Sequence, residues 1–310
     1  MNYDIPENEK KILEEVELYR DRYFTYDLPV PFDGLFLYPV TVRNYNEFMV
    51  SNACLLLNKK DDPMGMKYTN LEYLLSKFEN QQDGWRWSFM FSRILELCLH
   101  ISPGMKCHKC GKIIPYETFL SKENQEKYAN SSAEEQEKLF DCECGGKLVA
   151  SLEYKKDEKT CRCYFVIDGV KVDNDSFNRM RKFILYQNLP DYYDDTYVPK
   201  AVRDDEAKKN EILSKDSGKA TLEDKICAIA FQLGITFEDV YNLTIRKFVR
   251  LVSLITEYPD YVASKVGLMT GMVKLKDGQQ LDHWLFKKNN GNRYGAKTSA
   301  EELIKNVSNV

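Results

Sequence analysis

Apolar residues recur at helical spacing along much of this chain. From Glu9 to about Phe24 they fall at steps of four, three and four, which predicts an amphipathic helix packed as an arm against the body or a partner. A second helix, apolar on most sides, is expected from about Trp87 to Leu99. The segment IRKFVRLVSLITEY carries an unusually wide apolar stripe, typical of a central core helix or of one shared with a neighbouring subunit. Its residues are Ile245, Phe248, Val249, Val252 and Ile255, broadened by Leu251, Leu254 and Tyr258.

Capping residues mark where several helices begin and end. Asn44 with Glu47, and Thr69 with Glu72, have the spacing of a capping box. In such a box each side chain forms a hydrogen bond with the backbone amide of the other residue. Further helix starts are predicted at Asp175, Thr221, Thr236 and Thr244, and helix ends at Gly234 and at Pro259.

Alternating apolar and polar residues predict strands in the middle of the chain. KLVASLEY and TCRCYFVIDGVKVD alternate in this way, and Asp168-Gly169 is a strong hairpin signal between two of the strands. Prolines leave room only for a short edge strand from Leu35 to Tyr38. The predicted fold class is α+β, a mostly helical body with a small antiparallel sheet and an inserted zinc ribbon.

Shifts in composition suggest how the chain divides. Residues 190–219 are poor in apolar side chains, which favours a boundary there. We predict an N-terminal helical or α+β part at 1–104, a zinc-ribbon insert with a hairpin at 105–163, the rest of the first domain at 164–200, a linker at 201–220 and a C-terminal helical domain at 221–310. A short hairpin turning at Asp277-Gly278 is expected near the end.

The cysteines carry the clearest chemical signal. CHKCGK supplies Cys107 and Cys110, and CECGGK supplies Cys142 and Cys144, each pair followed by the glycine that a metal-binding turn requires. Four thiolates suit tetrahedral Zn²⁺ and leave no position open for a catalytic water, so we predict a structural zinc site. Cys161 or Cys163 could instead join that site, since both are expected beside the same hairpin.

The other cysteines and the histidines are interpreted as structural. Three cysteines in apolar helical settings, Cys54, Cys98 and Cys227, are expected to be small core residues. Isolated histidines stand at positions 100, 108 and 283, and the one at 108 is expected to be a solvated neighbour of the zinc site. The acidic cluster of Asp191, Asp194 and Asp195 is expected to be solvated, with its interleaved tyrosines as contact residues.

Composition and motifs narrow the function classes. The net charge of -4 is opposite in sign to that of most nucleic-acid-binding domains. The sequence has no phosphate-binding glycine loop, nucleophile elbow or helical metal-hydrolase pair, so an enzyme is not expected. A less favoured alternative is an enzyme whose site is assembled from dispersed carboxylates, which have no such motif. The charged N-terminus is expected to be neither a secretory signal nor an anchor, and no apolar run in the sequence approaches the roughly 18 residues of a membrane span.

Several longer phrases suggest a family. YPVTVRNYNEFMVSNACLLLNKKDD, FNRMRKFILYQNLPDYYDD, GITFEDVYNLTIRKF and GMVKLKDGQQLDHWLF resemble proteins from the tail-gene clusters of phages that infect low-GC Gram-positive bacteria. The chain begins with an α/β part, continues with a C-x-x-C insert and then has a strand pair before a helix. This order of elements is similar to that in baseplate-hub assembly proteins of T-even-type phages. The resemblance carries no functional residue beyond the zinc ligands.

This resemblance implies a non-enzymatic tail or baseplate component, or a tail-assembly factor. Its expected partners are other tail or baseplate proteins, with neither a membrane nor nucleic acid, and it could act as an oligomer within the assembly. The expected location is the host cytoplasm during assembly, or the virion tail. The alternative is a zinc-ribbon adaptor that binds nucleic acid or takes part in transcription through Lys106, Lys109, Lys112 and Lys147.

Overall fold

The computed structural model describes residues 6–115, 141–214, 220–272 and 281, and it confirms an α+β fold. Within these residues the helices are α1 (Glu7–Arg22), α2 (Tyr45–Ser51), α3 (Asn70–Phe78), α4 (Gly84–Leu99), α5 (Asn174–Asn188), α6 (Lys200–Ser214), α7 (Leu222–Leu233), α8 (Phe237–Asn242) and α9 (Ile245–Met269). The strands are β1 (Val30–Phe32), β2 (Leu35–Leu37), β3 (Gly104–Cys107), β4 (Ile113–Pro115), β5 (Leu148–Ala150), β6 (Leu152–Lys156), β7 (Cys163–Ile167) and β8 (Val170–Val172).

The chain forms two compact units. The first comprises Ile12–Val40 and Asn44–Asn188, and the second comprises Met1–Lys11, Thr41–Arg43 and the chain from Leu189 onward. Among the described helices, none combines the length and the apolar character that crossing a membrane requires. The predicted hairpin at Asp277-Gly278 lies outside the described residues.

An aromatic cluster occupies the core of the first unit. The ring of Phe91 in α4 stacks on Phe165 of β7 at 5.1 Å between centroids and meets the edge of Phe177 of α5 at 6.3 Å. Cys54 and Cys98 are buried in this unit, as the sequence predicted, and burial raises the pKa of both thiols.

The predicted amphipathic helix at the N-terminus is α1, and part of it belongs to the first unit. There Val16 is buried, the Tyr19 ring meets the edge of Phe183 at 5.0 Å, and Glu15 forms a 2.8 Å ion pair with Arg179 of α5. Helix α1 therefore packs against the body through the predicted apolar face.

Buried polar residues at the end of α5 hold the preceding loops in place. The Asn188 carboxamide oxygen accepts a 2.7 Å hydrogen bond from the backbone nitrogen of Val40, and the Gln187 amide donates to the carbonyl of Leu37 at 3.2 Å. Both side chains are almost fully buried. These long-range contacts have no local sequence signal.

The strands form three small antiparallel sheets, ordered β1-β2, β4-β3-β5 and β6-β7-β8. Asp168 and Gly169 both have positive φ between β7 and β8, which confirms the predicted turn. Asp33 and Gly34 make an equivalent turn, so the expected edge strand is one arm of a hairpin with β1. Strand β1 was not predicted, because Pro31 at its centre disfavours a strand.

Capping residues set most of the helix boundaries in the second unit. Thr221 and Thr236 form reciprocal hydrogen bonds with Asp224 and Asp239 at the starts of α7 and α8, and Gly234 ends α7 in the left-handed conformation. Thr244 caps α9. All four predicted boundaries are confirmed.

Three local predictions differ from the structure, and the segment predicted as a linker is largely helical. Asn44 precedes α2 without a capping hydrogen bond from its side chain, and Asp173 rather than Asp175 accepts the free amides at the start of α5. Pro259 lies inside the continuous helix α9, where one missing hydrogen bond does not end the helix. Most of the predicted linker forms α6, because the segment is rich in Ala, Glu and Lys and carries the Asp205–Lys209 pair at helical spacing.

Candidate metal centre

A three-stranded sheet brings the two halves of the cysteine site together. Strand β3 ends at Cys107 and pairs with β4 on one side and with β5 on the other. Cys110 follows in the turn between β3 and β4, while Cys142 and Cys144 lie in the turn that leads into β5. Strand pairing therefore places two cysteine turns, here called knuckles, side by side.

Each knuckle closes on a glycine in the left-handed conformation. Gly111 and Gly145 both have φ of 74°. The Gly111 amide donates to the carbonyl of Cys107 at 3.0 Å, and the Gly145 amide donates to Cys142 at 2.8 Å. A side chain at either position would strain the turn, which explains why each cysteine pair is followed by glycine.

The four thiols have the separations that one tetrahedral metal ion requires. The Sγ atoms of Cys107 and Cys144 are 3.4 Å apart, those of Cys110 and Cys142 are 3.7 Å apart, and all four lie within 4.8 Å of one another. Zinc–sulfur bonds of about 2.3 Å in a tetrahedron place the sulfurs roughly 3.8 Å apart. The donor set therefore fits a metal such as zinc.

Backbone amides favour ionisation of the first thiol. The Cys110 amide and the Lys109 amide, 3.4 Å from Sγ, lower the pKa of Cys107 to about 6. The hydrogen bond between the Cys144 and Cys107 sulfurs, which are 3.4 Å apart, raises the pKa of the Cys144 thiol. Zinc binds thiolates, so a bound cation would displace the protons that remain on these thiols.

The core around these thiols is small. Cys107 and Cys142 are buried with Met105 and Leu148, whereas Cys110 is exposed and Cys144 is half-buried. Four buried residues offer little apolar stabilisation, so a metal would supply much of the folding energy of the ribbon.

Gly146 permits the close approach of the two knuckles. A β-carbon at this position would lie 2.7 Å from Sγ of Cys107 and 2.7 Å from Cβ of Lys109. The sequence indicated glycine here only as part of a turn. The structure adds a steric reason that depends on the opposite knuckle.

His108 is an exposed neighbour of the four thiols, as expected from the sequence, and it also joins the knuckles. Its Nδ1 accepts a 3.0 Å hydrogen bond from the backbone nitrogen of Lys147, and its own amide donates to the Lys147 carbonyl at 3.2 Å. The only sequence signal for this role is the position of the histidine between two ligands.

Each lysine of the predicted basic patch has an acceptor close by. Lys106 pairs with Asp168 at 2.6 Å, Lys147 with Asp141 at 2.7 Å and Lys112 with Glu143 at 2.9 Å. The fourth, Lys109, donates to the carbonyl of Cys144 at 3.2 Å. Four zinc-bound thiolates would add two net negative charges, so this surface would carry no net positive charge.

Ser151 anchors the ribbon to the neighbouring sheet. Its buried hydroxyl accepts from the Gly104 amide at 2.9 Å and donates to the Ser102 carbonyl at 3.0 Å. The Ser151 carbonyl in turn accepts from the amide of Asp168 at 2.8 Å. This network fixes the start of β3 and the end of β5, and therefore the strands that carry the knuckles.

The remaining candidates lie apart from the thiol group. In the described part of the chain, the group of possible metal ligands includes neither Cys161 nor Cys163. Cys161 is exposed, and the Sγ atom of Cys163 lies 3.3 Å from the Tyr154 hydroxyl. Cys227 is exposed on α7, which corrects its expected place in the core, because Ile226 and Ile229 form the buried face.

The other polar candidates take ordinary structural places. His100 ends α4 in the left-handed conformation and stacks on Tyr38 at 3.9 Å between ring centroids. In the acidic segment, Asp194 accepts hydrogen bonds from the amide and hydroxyl of Thr196, as a turn residue does. The third histidine, His283, lies outside the described residues.

Comparison of the chain with protein-family models, with curated proteins and with solved structures gives no match. The geometry alone therefore defines the site as a closed group of four cysteines suited to a metal such as zinc.

Proposed function

We propose that this chain is a non-enzymatic phage tail or baseplate component, or a tail-assembly factor, that acts through protein–protein contacts and carries a structural zinc ion. The zinc would be held by Cys107, Cys110, Cys142 and Cys144. The phage assignment comes from the sequence resemblance, and the mode of action comes from the site and the surface.

The closed set of thiols is the observation that carries the proposal. Four cysteine ligands complete the coordination of zinc, so the ion would have no position for a substrate or an activated water. Its contribution would be to hold two knuckles together around a very small core. A site of this kind stabilises a surface rather than catalysing a reaction.

Exposed apolar side chains supply the contact surface that the proposal requires. In the second unit Phe231 is 88% exposed and Phe237 is 53% exposed, and in the first unit Trp85 is 74% exposed. Aromatic residues and methionine are enriched where proteins meet, because they give a large contact area at low cost in conformational entropy. These positions are therefore the best candidates for contacts with other subunits.

The pairing of the ribbon lysines weighs against the nucleic-acid alternative. A phosphate-binding surface needs cationic groups whose attraction is not already balanced by nearby carboxylates. Lys106, Lys112 and Lys147 each face a carboxylate within 3 Å. Exposed ion pairs are weak and can rearrange, but the local balance of charge does not change when they do.

The proposal is tested by following the chain through infection with the phage that encodes it. Mass spectrometry of purified particles and of the infected lysate separates a virion component from a transient assembly factor. We expect the chain either in particles or in a complex with tail or baseplate subunits that survives high salt. Salt-sensitive binding to DNA or RNA, with neither of those results, would instead support the nucleic-acid adaptor.

Paired variants connect that result to the site. Cys110→Ser with Cys144→Ser removes two of the proposed ligands, whereas Cys161→Ser removes an exposed thiol outside the group. Assembly with tail subunits should fail in the double variant and persist in the single variant. Equal assembly by both would contradict a structural role for the metal.

A further inference from the structure

The second half of α9 presents an apolar face to solvent. Leu254 is 37% exposed, Val262 39%, Val266 53% and Met269 80%. We call these four residues, with Ile255 and Tyr258, the outer stripe. At about 100° per residue they lie within an arc of roughly 120° along one side of the helix, and Val266 stands five turns beyond Phe248, which is buried with Ile245 in the first half of the helix. The sequence predicted one apolar stripe for the whole helix, and the structure buries it only in the first half, around Ile245 and Phe248.

The outer stripe is nearly symmetric about Val262. Apolar residues stand four positions away on each side, at Tyr258 and Val266, and seven positions away, at Ile255 and Met269. An antiparallel second copy of the helix would therefore set Tyr258 against Val266 twice and Ile255 against Met269 twice. Val262 would face its own counterpart. An isologous contact requires this reciprocal matching of residues.

Size and charge also suit a second copy. The small valine at the centre lets two helices approach closely, and each tyrosine would meet a valine rather than another large ring. Lys265, the charged residue nearest the stripe, would face Pro259, so no like charges would oppose each other. The stripe runs from Leu254 to Met269, about 22 Å along the helix, which is about four turns over which two antiparallel helices can pack.

We propose that the outer stripe of α9 is the interface of an antiparallel, two-fold symmetric homodimer centred on Val262. The inference does not depend on the proposed phage role, since it follows from the exposure and spacing of these residues alone.

Charge-swapped variants at the centre of the stripe test this arrangement in the full-length, zinc-loaded chain. Val262→Lys would oppose two positive charges at the two-fold axis, and Val262→Glu would oppose two negative charges. We expect the wild type to sediment as a dimer and each variant to dissociate with a Kd raised at least about 100-fold. An equimolar mixture of the two variants should form a heterodimer, because opposite charges then meet at the axis.

A neighbouring exposed position provides the control. Ala263→Lys adds the same side chain about 100° around the helix and should leave the dimer intact. Circular dichroism melting checks that the variants fold, as substitutions at exposed positions should allow. A wild type that remains monomeric at 100 µM (about 10² times a micromolar Kd), a Val262→Lys dimer, or a mixture that fails to associate would each overturn the proposal. Hydrogen-exchange protection of α9 in such a monomer would assign the stripe to contacts within the same chain.

Discussion

The side chain of His108 and the backbone of Lys147 join the two cysteine knuckles. The histidine Nδ1 accepts from the lysine amide at 3.0 Å, and the histidine amide donates to the lysine carbonyl at 3.2 Å. Neither residue belongs to the group of four thiols, yet their hydrogen bonds connect the turns that carry the two cysteine pairs. Hydrogen bonds of this type orient ligands and tune the affinity of a metal site.

Replacing this histidine should weaken zinc binding. We expect His108→Ala to lower zinc affinity about tenfold, because the Lys147 amide loses its acceptor and the knuckles can separate. His108→Asn keeps an acceptor near the same position and should retain most of the affinity. Competition with a chromophoric chelator measures the difference, and equal affinities for the two variants would contradict this role.

The two glycines of the second knuckle should differ in their tolerance of a side chain. A β-carbon at Gly146 would lie 2.7 Å from Sγ of Cys107, whereas one at Gly145 would have nothing within 4 Å and would meet only the strain of φ 74°. Gly145→Ala should therefore destabilise the ribbon by about 1 kcal/mol. Gly146→Ala should also displace a ligand and reduce zinc affinity further. Chelator competition and thermal melting together distinguish the two effects.

Removing the metal should loosen the ribbon and leave the helices of the second unit folded. Zinc binding on the order of 10 kcal/mol would dominate a ribbon with so small a core. After treatment with a strong chelator, amide exchange should accelerate in β3, β4 and β5 and stay unchanged in α7 to α9. Equal protection of the ribbon with and without metal would rule out structural zinc.

The capping boxes of the second unit should make it sensitive to acid. The Thr221 hydroxyl and amide lower the pKa of Asp224, and Thr236 does the same for Asp239. A carboxyl whose pKa is lower in the folded state stabilises the protein above its unfolded pKa of about 3.9 and loses that contribution as the pH falls through the folded value.

A paired substitution isolates this contribution. Asp224→Asn with Asp239→Asn should lower the melting temperature at pH 7 and have a smaller effect near pH 3, where the wild-type carboxyls are largely protonated. Melting curves at both pH values provide the measurement. The same difference at both would show that ionised carboxyls do not stabilise these helix starts.

Two helix starts with the same sequence pattern, at Thr69 and at Asn44, should respond differently when the first side chain is replaced by alanine. The Thr69 hydroxyl accepts from the Glu72 amide at 3.2 Å, and the Glu72 carboxylate accepts from the Thr69 amide at 2.8 Å. The Asn44 side chain makes no capping hydrogen bond. Thr69→Ala should therefore cost about 1 kcal/mol and Asn44→Ala only a few tenths. Denaturant unfolding measures both, and equal losses would contradict the assignment.

The sequence determined the features that depend on residues close together in the chain. Cysteine spacing and the following glycines identified all four thiols that the structure groups together. The boxes at Thr69, Thr221 and Thr236 and the turn at Asp168-Gly169 were also predictable. Each depends on hydrogen bonds or dihedral angles within about four residues, so the local sequence contains the required information.

Tertiary structure decided the features that depend on distant partners. Asn188 binds the Val40 backbone, His108 binds Lys147, and Lys106 is paired with Asp168. The Asn44 side chain, which has the local pattern of a helix cap, makes no capping hydrogen bond in the folded chain. These outcomes depend on which surfaces the folded chain brings together, since burial and long-range hydrogen bonds outweigh local preferences of about 1 kcal/mol.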